Sequence, residues 1–146
     1  MQALPHQYSV KAVGKSDNSL VVSINNLDDL AVAPPAQFGG PGDQWSPEDL
    51  FMSSVSSCFI LSFRAIARAS KLEWTSIECH SEGILDRVEG KTQFTKVVTT
   101  AKLVIAEHED VENAERLLHR AEQSCLVVNS LSSESELQCE VSFPKQ

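Results

Sequence analysis

Two patterns of apolar and polar positions alternate along the chain and predict its secondary structure. In six stretches apolar and polar residues alternate, or a few apolar residues follow one another, as in half-buried strands. They predict strands over residues 8–13, 20–24, 27–32, 74–85, 94–105 and 137–143. In two longer stretches apolar residues recur at steps of three and four, which predicts helices over 46–70 and 110–125. The order βββ-α-ββ-α-β is typical of an α+β fold.

Turn residues between these elements indicate how the strands pair. The polar stretch 14–19 would join the first two strands as a hairpin, and Glu89-Gly90-Lys91 would join the two long strands in antiparallel fashion. Proline and glycine punctuate the loop over 34–45, and loops of this length often serve a site. Repeats and linkers are not evident, so we expect one domain over residues 1–146.

The first predicted helix is the most informative element. Ser46 is a suitable N-cap and Pro47 suits the first helical position. One stripe of this helix places Cys58 in the middle of a face that we expect to be buried: Phe51, Val55, Cys58, Ser62, Ala65 and Ala69. The second helix has a similar stripe that includes Cys125: Val111, Ala114, Leu118, Ala121 and Cys125.

Two cysteines on inward helix faces are the main chemical feature of the sequence. If the helices pack side by side, the thiols of Cys58 and Cys125 would meet in a half-buried pocket. A thiolate attacks peroxides and disulfides, and its sulfenic acid condenses with a neighbouring thiol to form a disulfide. The alternative is that both are ordinary buried cysteines.

Composition and charge exclude several classes of function. The chain has 146 residues, a net charge of −8 and a pI near 4.9, without a lysine and arginine cluster. Nucleic-acid binding and attachment to an anionic membrane both need such a cluster. The N-terminus lacks a signal-peptide pattern and no apolar run suggests a membrane span, so we expect a cytoplasmic protein with reduced thiols.

The remaining cysteines do not indicate a metal site. Cys79 and Cys139 fall on predicted strands, where structural thiols are the usual interpretation. Zinc sites need close pairs such as C-x2-C, and the sequence has none. We therefore expect neither a metal nor a bound cofactor.

Two motifs resemble those of the osmotically inducible protein C and organic hydroperoxide resistance (OsmC/Ohr) family. Residues 42–59 contain S-P-E-D-L-F, with Glu48 ten residues ahead of Cys58, and then S-S-C-F. The family has N/S-P-E-x-L-(F) followed by A-A-C-F. The segment A-E-Q-S-C at 121–125 resembles the family's second cysteine motif, and the order of elements is similar over essentially the whole chain.

The resemblance implies a fold, an activity and roles for three residues. The fold would be an intertwined homodimer with antiparallel curved sheets around two long central helices and a site near the subunit interface. The activity would be thiol-dependent reduction of lipid or alkyl hydroperoxides. Cys58 would be the peroxidatic thiol, Cys125 the resolving thiol and Glu48 the acidic residue of the motif. A lipoyl group or a thioredoxin-like protein would supply the reducing dithiol.

The sequence departs from the family pattern at the positions of an arginine and a proline. The arginine that holds the thiolate corresponds to Gln37 in one branch and to Lys15 in the other. Lys15, Gln37 or a helix arginine is therefore the candidate for a cation or pocket residue. Leu126 stands where the second cysteine motif of the family commonly has proline. The missing arginine favours two alternatives: a non-catalytic or weakly redox-active module that binds an apolar ligand, and a thiol redox sensor.

Overall fold

The structure is a computed structural model that describes residues 1–145, except for the side chain of Glu109. It consists of two compact units, Met1–Phe51 and Met52–Gln146. The first unit holds an antiparallel sheet of three short strands in sequence order, β1 (Lys11–Val13), β2 (Leu20–Ser23) and β3 (Leu30–Val32). The strand predicted from residue 8 begins only at Lys11, because the pairing ends where Lys11 meets Ser23 at the end of β2.

The loop after β3 returns to the strand that it leaves. It contains a 3-10 turn at Ala36–Phe38 and ends in a parallel bridge between Val32 and Trp45. The Ala33 N–H also donates to the Trp45 carbonyl at 2.9 Å. These contacts bring the chain to the start of the first helix.

The first helix, α1 (Pro47–Ala69), is defined by hydrogen bonds at both ends. At its start the Asp49 N–H donates to Ser46 Oγ at 3.0 Å, and the Ser46 N–H donates to Asp49 Oδ2 at 3.2 Å. This reciprocal pair is a capping box, and it confirms Ser46 as the N-cap. At the end Lys71 has a left-handed backbone (φ 58°), and the Leu72 N–H donates to the Ala67 carbonyl at 3.0 Å.

The second unit contains a mixed sheet of three strands, β4 (Trp74–Val88), β5 (Lys91–Ile105) and β6 (Glu134–Ser142). The turn between β4 and β5 has positive φ at both Glu89 (50°) and Gly90 (81°), as a type I′ hairpin requires. The predicted antiparallel hairpin is therefore confirmed. The prediction of antiparallel sheets throughout is wrong, because β6 runs parallel to β5.

The parallel pairing follows from the helix between these strands. After β5 the chain forms a 3-10 turn at His108–Asp110, the helix α2 (Val111–Ser124) and a four-residue helix, α3 (Leu126–Asn129). A helix of that length carries the chain back to the end of the sheet where β5 begins. The next strand then starts there and runs in the same direction, as in other β-α-β connections.

The helices cover one face of the mixed sheet and form its core. Phe59, Phe63 and Ala67 of α1 meet the inward residues of β5 and the buried stripe of α2. The side of β5 that faces the helices is buried at five alternate positions: Val97, Thr99, Ala101, Leu103 and Ile105. Leu85 of β4 is exposed, and the register of the β4–β5 pairing shifts between Ile84 and Leu85.

By length and composition alone, α1 could also cross a membrane, with a mean hydropathy of 1.6 over its most apolar window. The sequence interpretation that no run is apolar enough does not hold for this helix. A core helix satisfies the same test, and α1 packs four buried residues at steps of four: Val55, Phe59, Phe63 and Ala67. We therefore assign it to the core.

The buried line of α1 should determine the stability of the fold. Phe63 is fully buried and meets Trp74 edge-on, with ring centroids 5.6 Å apart. Phe63→Ala should lower the free energy of unfolding by about 3–5 kcal/mol, the range for aromatic residues removed from cores. Arg64→Ala, at the exposed neighbouring position, should change it by no more than about 0.5 kcal/mol. Chemical denaturation of both variants measures this, and equal losses would contradict the core assignment.

Candidate active site

Cys58 lies at the edge of the buried face of α1. The predicted stripe placed it in the middle of that face, but Ala65 and Ala69 of the stripe are exposed. The helix instead buries Phe59 and Phe63, since aromatic side chains bring much more apolar area to the core than serine or alanine does. This rotation leaves the Cys58 side chain half-buried, where a small molecule can reach it.

Cys125 lies at a break between two helices, whereas the sequence placed it inside the second one. Its backbone is extended (φ −68°, ψ 105°), so that α2 ends at Ser124 and α3 begins at Leu126. Most of the predicted stripe is confirmed, since Ala114, Leu118 and Ala121 are buried with Cys125 and Val111 is partly buried against the same core. The break turns the first N–H groups of α3 away from α2 and makes them available to other acceptors.

The thiol of Cys58 accepts hydrogen bonds from this break. Burial alone raises the pKa of Cys58, but four hydrogen bonds outweigh burial and lower the pKa below the ordinary cysteine value. The donors are the Val127 N–H, the thiol of Cys125, the hydroxyl of Ser62 and the Leu126 N–H. No cation is among these groups. The Cys58 thiolate is therefore stabilised by backbone and side-chain dipoles.

The pKa of the Cys125 thiol is shifted in the opposite direction. Burial raises its pKa, hydrogen bonding and charge repulsion from Cys58 raise it further, and the Val128 and Val127 N–H groups only partly offset them. The pKa of Cys125 is about 11. The two thiols are thus in hydrogen-bond contact and unequal, since Cys58 ionises first and Cys125 stays protonated at neutral pH.

An open cleft of about 450 Å³ gives access to Cys58. Its lining combines apolar side chains with hydroxyl groups: Ser54, Ser57, Leu61, Ser62, Leu126 and Val127. Leu61 and Leu126 are exposed at its rim. Such a surface suits an apolar molecule with one small polar group that must approach a thiolate.

The other predicted site residues lie in the first unit. Glu48 is in the first turn of α1, and its Oε2 is buried without a hydrogen-bond partner among the described residues. Lys15 and Gln37 are both exposed. Among the described side chains, which leave out Glu109 and Gln146, the one ion pair joins Lys96 and Glu136, so Lys15 pairs with no carboxylate of that set.

The two remaining cysteines flank the central strand of the mixed sheet. Cys79 of β4 and Cys139 of β6 both pair in register with Ala101 of β5. Two strand spacings, about 10 Å, separate them, which is too far for a disulfide. Burial raises the pKa of both, to about 11 for Cys139, where Glu115 and Glu122 also contribute. Among the described residues, no group of three or more His, Cys, Asp or Glu side chains could hold a metal.

The backbone donors to Cys58, Leu126 and Val127, are not among the site residues expected from the sequence. The signal was present, because Leu126 occupies a position where the resembling family commonly has proline. Proline has no N–H, whereas Leu126 supplies one to Cys58. At this site the departure from the family pattern adds a donor to the thiolate.

A family model for OsmC-like proteins matches residues 40–140, well over half of the chain. The chain therefore belongs to the OsmC-like family. It is 27% identical to the uncharacterized protein YmaD of Bacillus subtilis (strain 168) over 143 residues, which covers 94% of each chain.

Solved structures share the whole fold. An OsmC-like protein of unknown function from Vibrio cholerae O1 biovar eltor superposes with a TM-score of 0.84 at 20% identity, covering 92% of this chain and 99% of that one. An organic hydroperoxide resistance protein OsmC from Legionella pneumophila gives a TM-score of 0.75 at 25% identity, covering 97% and 99%. The α+β fold predicted from the sequence is thereby confirmed.

The role of the Leu126 N–H can be tested by replacing the residue with proline. The first position of α3 tolerates proline, and the extended backbone of Cys125 suits a residue before proline. Leu126→Pro should raise the pKa of Cys58, because the thiolate loses one of its four hydrogen-bond donors. Alkylation with iodoacetamide across pH, followed by peptide mass spectrometry, measures this pKa.

Leu126→Ala is the matched control, because it removes the side chain and keeps the N–H. Lys15→Ala tests the alternative that a cation from the first unit sustains the thiolate. A pKa shift as large in Leu126→Ala as in Leu126→Pro would rule out the backbone N–H as the cause. In all variants Cys125 should resist alkylation until the pH approaches 11.

Proposed function

We propose that the protein is a thiol-dependent peroxidase for organic hydroperoxides, lipid or alkyl. The observation that carries this proposal is the unequal thiol pair, with the pKa of Cys58 lowered and that of Cys125 raised at an open, apolar cleft. Family membership and the naming of the Legionella pneumophila relative as an organic hydroperoxide resistance protein support it.

The first step oxidises Cys58. Its thiolate attacks the terminal oxygen of the hydroperoxide, an S–O bond forms and the O–O bond breaks. The organic part leaves as an alkoxide, which takes a proton from water and becomes an alcohol. Cys58 becomes a sulfenic acid. The donors around Cys58 lower its pKa, and this increases the fraction of thiolate that is available for the attack.

The second step uses Cys125. Its sulfur attacks the sulfenic sulfur of Cys58, an S–S bond forms and the thiol proton leaves with the hydroxyl group as water. A cellular dithiol, a lipoyl group or a thioredoxin-like protein, then reduces the disulfide and supplies two electrons and two protons. We place this cycle in the cytoplasm, where the four free cysteines would stay reduced.

Glu48 is the third residue of the proposed site. Its buried and unpaired carboxylate oxygen requires a hydrogen-bond donor. Lys15 and Gln37 remain candidates for that donor. In this proposal the donors at the α2–α3 break hold the thiolate.

A second candidate function is binding of an apolar ligand without turnover. The exposed leucines at the rim of the cleft, Leu61 and Leu126, favour it. Mixing the reduced protein with cumene hydroperoxide and counting free thiols over seconds distinguishes the two functions. Rapid loss of two thiols supports the peroxidase, and intact thiols support the binding module.

The roles of the two cysteines can be assigned by trapping the intermediate. Cys125→Ser should stop at a Cys58 sulfenic acid that a dimedone-type probe labels after hydroperoxide is added. Cys58→Ser should give no hydroperoxide-dependent label. Cys79→Ser and Cys139→Ser are the controls and should consume hydroperoxide at nearly the parental rate. Equal labelling of the Cys58 and Cys125 variants would mean that the roles are misassigned.

We also propose that the protein is a homodimer. Large apolar side chains are exposed on both units, among them Leu27, Phe38, Trp45 and Leu61, and surfaces of this kind mark interfaces. Light scattering at low micromolar concentration should give twice the mass of the chain, which is 16.0 kDa. A stable, folded species of that single-chain mass would contradict the dimer.

A further inference from the structure

A chain of hydroxyl groups connects α1 to the mixed sheet beneath it. The hydroxyl of Ser56 donates to Ser81 Oγ of β4 at 2.6 Å, and Ser81 Oγ lies 3.3 Å from Thr99 Oγ1 of β5. Thr99 is only 3% exposed, in a layer that is otherwise mostly apolar. Unpaired hydroxyl groups are costly there, so these contacts favour one placement of the helix on the sheet.

Each hydroxyl in this chain can be satisfied by its neighbours. Ser56 gives its single proton to Ser81, and either Ser81 or Thr99 can donate in the contact between them. The hydroxyl of Ser56 also lies beside the Cys79 thiol, where burial raises the pKa of Cys79 and hydrogen bonding to Ser56 partly offsets that rise.

Ser56 and Cys58 are two positions apart on α1. At about 100° per residue their side chains point to nearly opposite sides of the helix. Ser56 is therefore fixed to the sheet while Cys58 faces the α2–α3 break. A small rotation or shift of α1 at Ser56 moves Cys58 relative to the Val127 N–H and the Cys125 thiol.

We propose that Ser56, with Ser81 and Thr99, is a positioning residue that fixes the axial placement of α1, and thereby aligns the Cys58 thiol with Cys125 and Val127. The apolar line of Phe59, Phe63 and Ala67 sets the rotation of the helix against the sheet through contacts that are not directional. The hydroxyl chain adds directional contacts that permit one register. This inference rests on the proposed function, because it concerns the thiol pair of that site.

The test needs no hydroperoxide, so its result is independent of whether the protein is a peroxidase. Ser56→Ala and Thr99→Val remove the two ends of the hydroxyl-to-hydroxyl chain, and Ser56→Thr restores the hydroxyl. Ser53→Ala, at an exposed position of the same helix, is the matched control. For each variant, iodoacetamide alkylation across pH gives the pKa of Cys58, and one equivalent of diamide gives the rate of Cys58–Cys125 disulfide closure.

Ser56→Ala and Thr99→Val should raise the pKa of Cys58 by about half a unit, a threefold loss of thiolate at a fixed pH below the pKa. Both should slow disulfide closure about threefold or more, while Ser53→Ala remains unchanged and Ser56→Thr recovers most of the loss. Thermal unfolding identifies any variant that fails to fold. Folded Ser56→Ala and Thr99→Val proteins with the parental pKa and closure rate would overturn the proposal, even if their melting temperatures fell.

Discussion

The structure depends on how α1 packs against β5. Phe59, Phe63 and Ala67 recur at steps of four and occupy the space between the mixed sheet and α2. Because this line decides the rotation of α1, it also decides which side chains remain accessible. Cys58 precedes Phe59 by one residue and therefore emerges beside the buried line, next to the break between α2 and α3. The same packing that stabilises the fold thus sets the exposure of the proposed nucleophile.

Much of the fold could be predicted from the sequence, because its signals are local. Ser46 and Pro47 fix the start of α1, Glu89-Gly90 fixes a hairpin, and the alternation along β5 fixes its buried face. The errors arose where tertiary packing decides the outcome. The direction of β6 depends on α2 as a connection, and the buried face of α1 depends on the size of Phe59 and Phe63 compared with Ser62 and Ala65.

The two cysteines of the candidate site could be predicted from the sequence, but the groups that stabilise the thiolate could not. The positions of Cys58 and Cys125 follow from helical spacing and the family motifs, although the break at Cys125 does not. A cation is the partner for the thiolate that the sequence suggests, because a charged side chain is identified by its residue type. Backbone N–H groups are present at every residue except proline, so those of Leu126 and Val127 become recognisable only when a helix end leaves them free.

A site that relies on backbone dipoles differs physically from one that relies on an arginine. A mobile side chain carries a full charge, but holding it at the thiolate costs conformational entropy, and the charge needs a carboxylate or solvent nearby. The N–H groups of Leu126 and Val127 are fixed by the backbone, and their effect on Cys58 is confined to hydrogen-bond distance. Their contribution therefore depends on alignment more steeply than that of a cation. In such a site the reactivity of the Cys58 thiol depends on where α1 lies on the sheet. The hydroxyls of Ser56 and Thr99 can therefore influence a thiol on the other side of the helix.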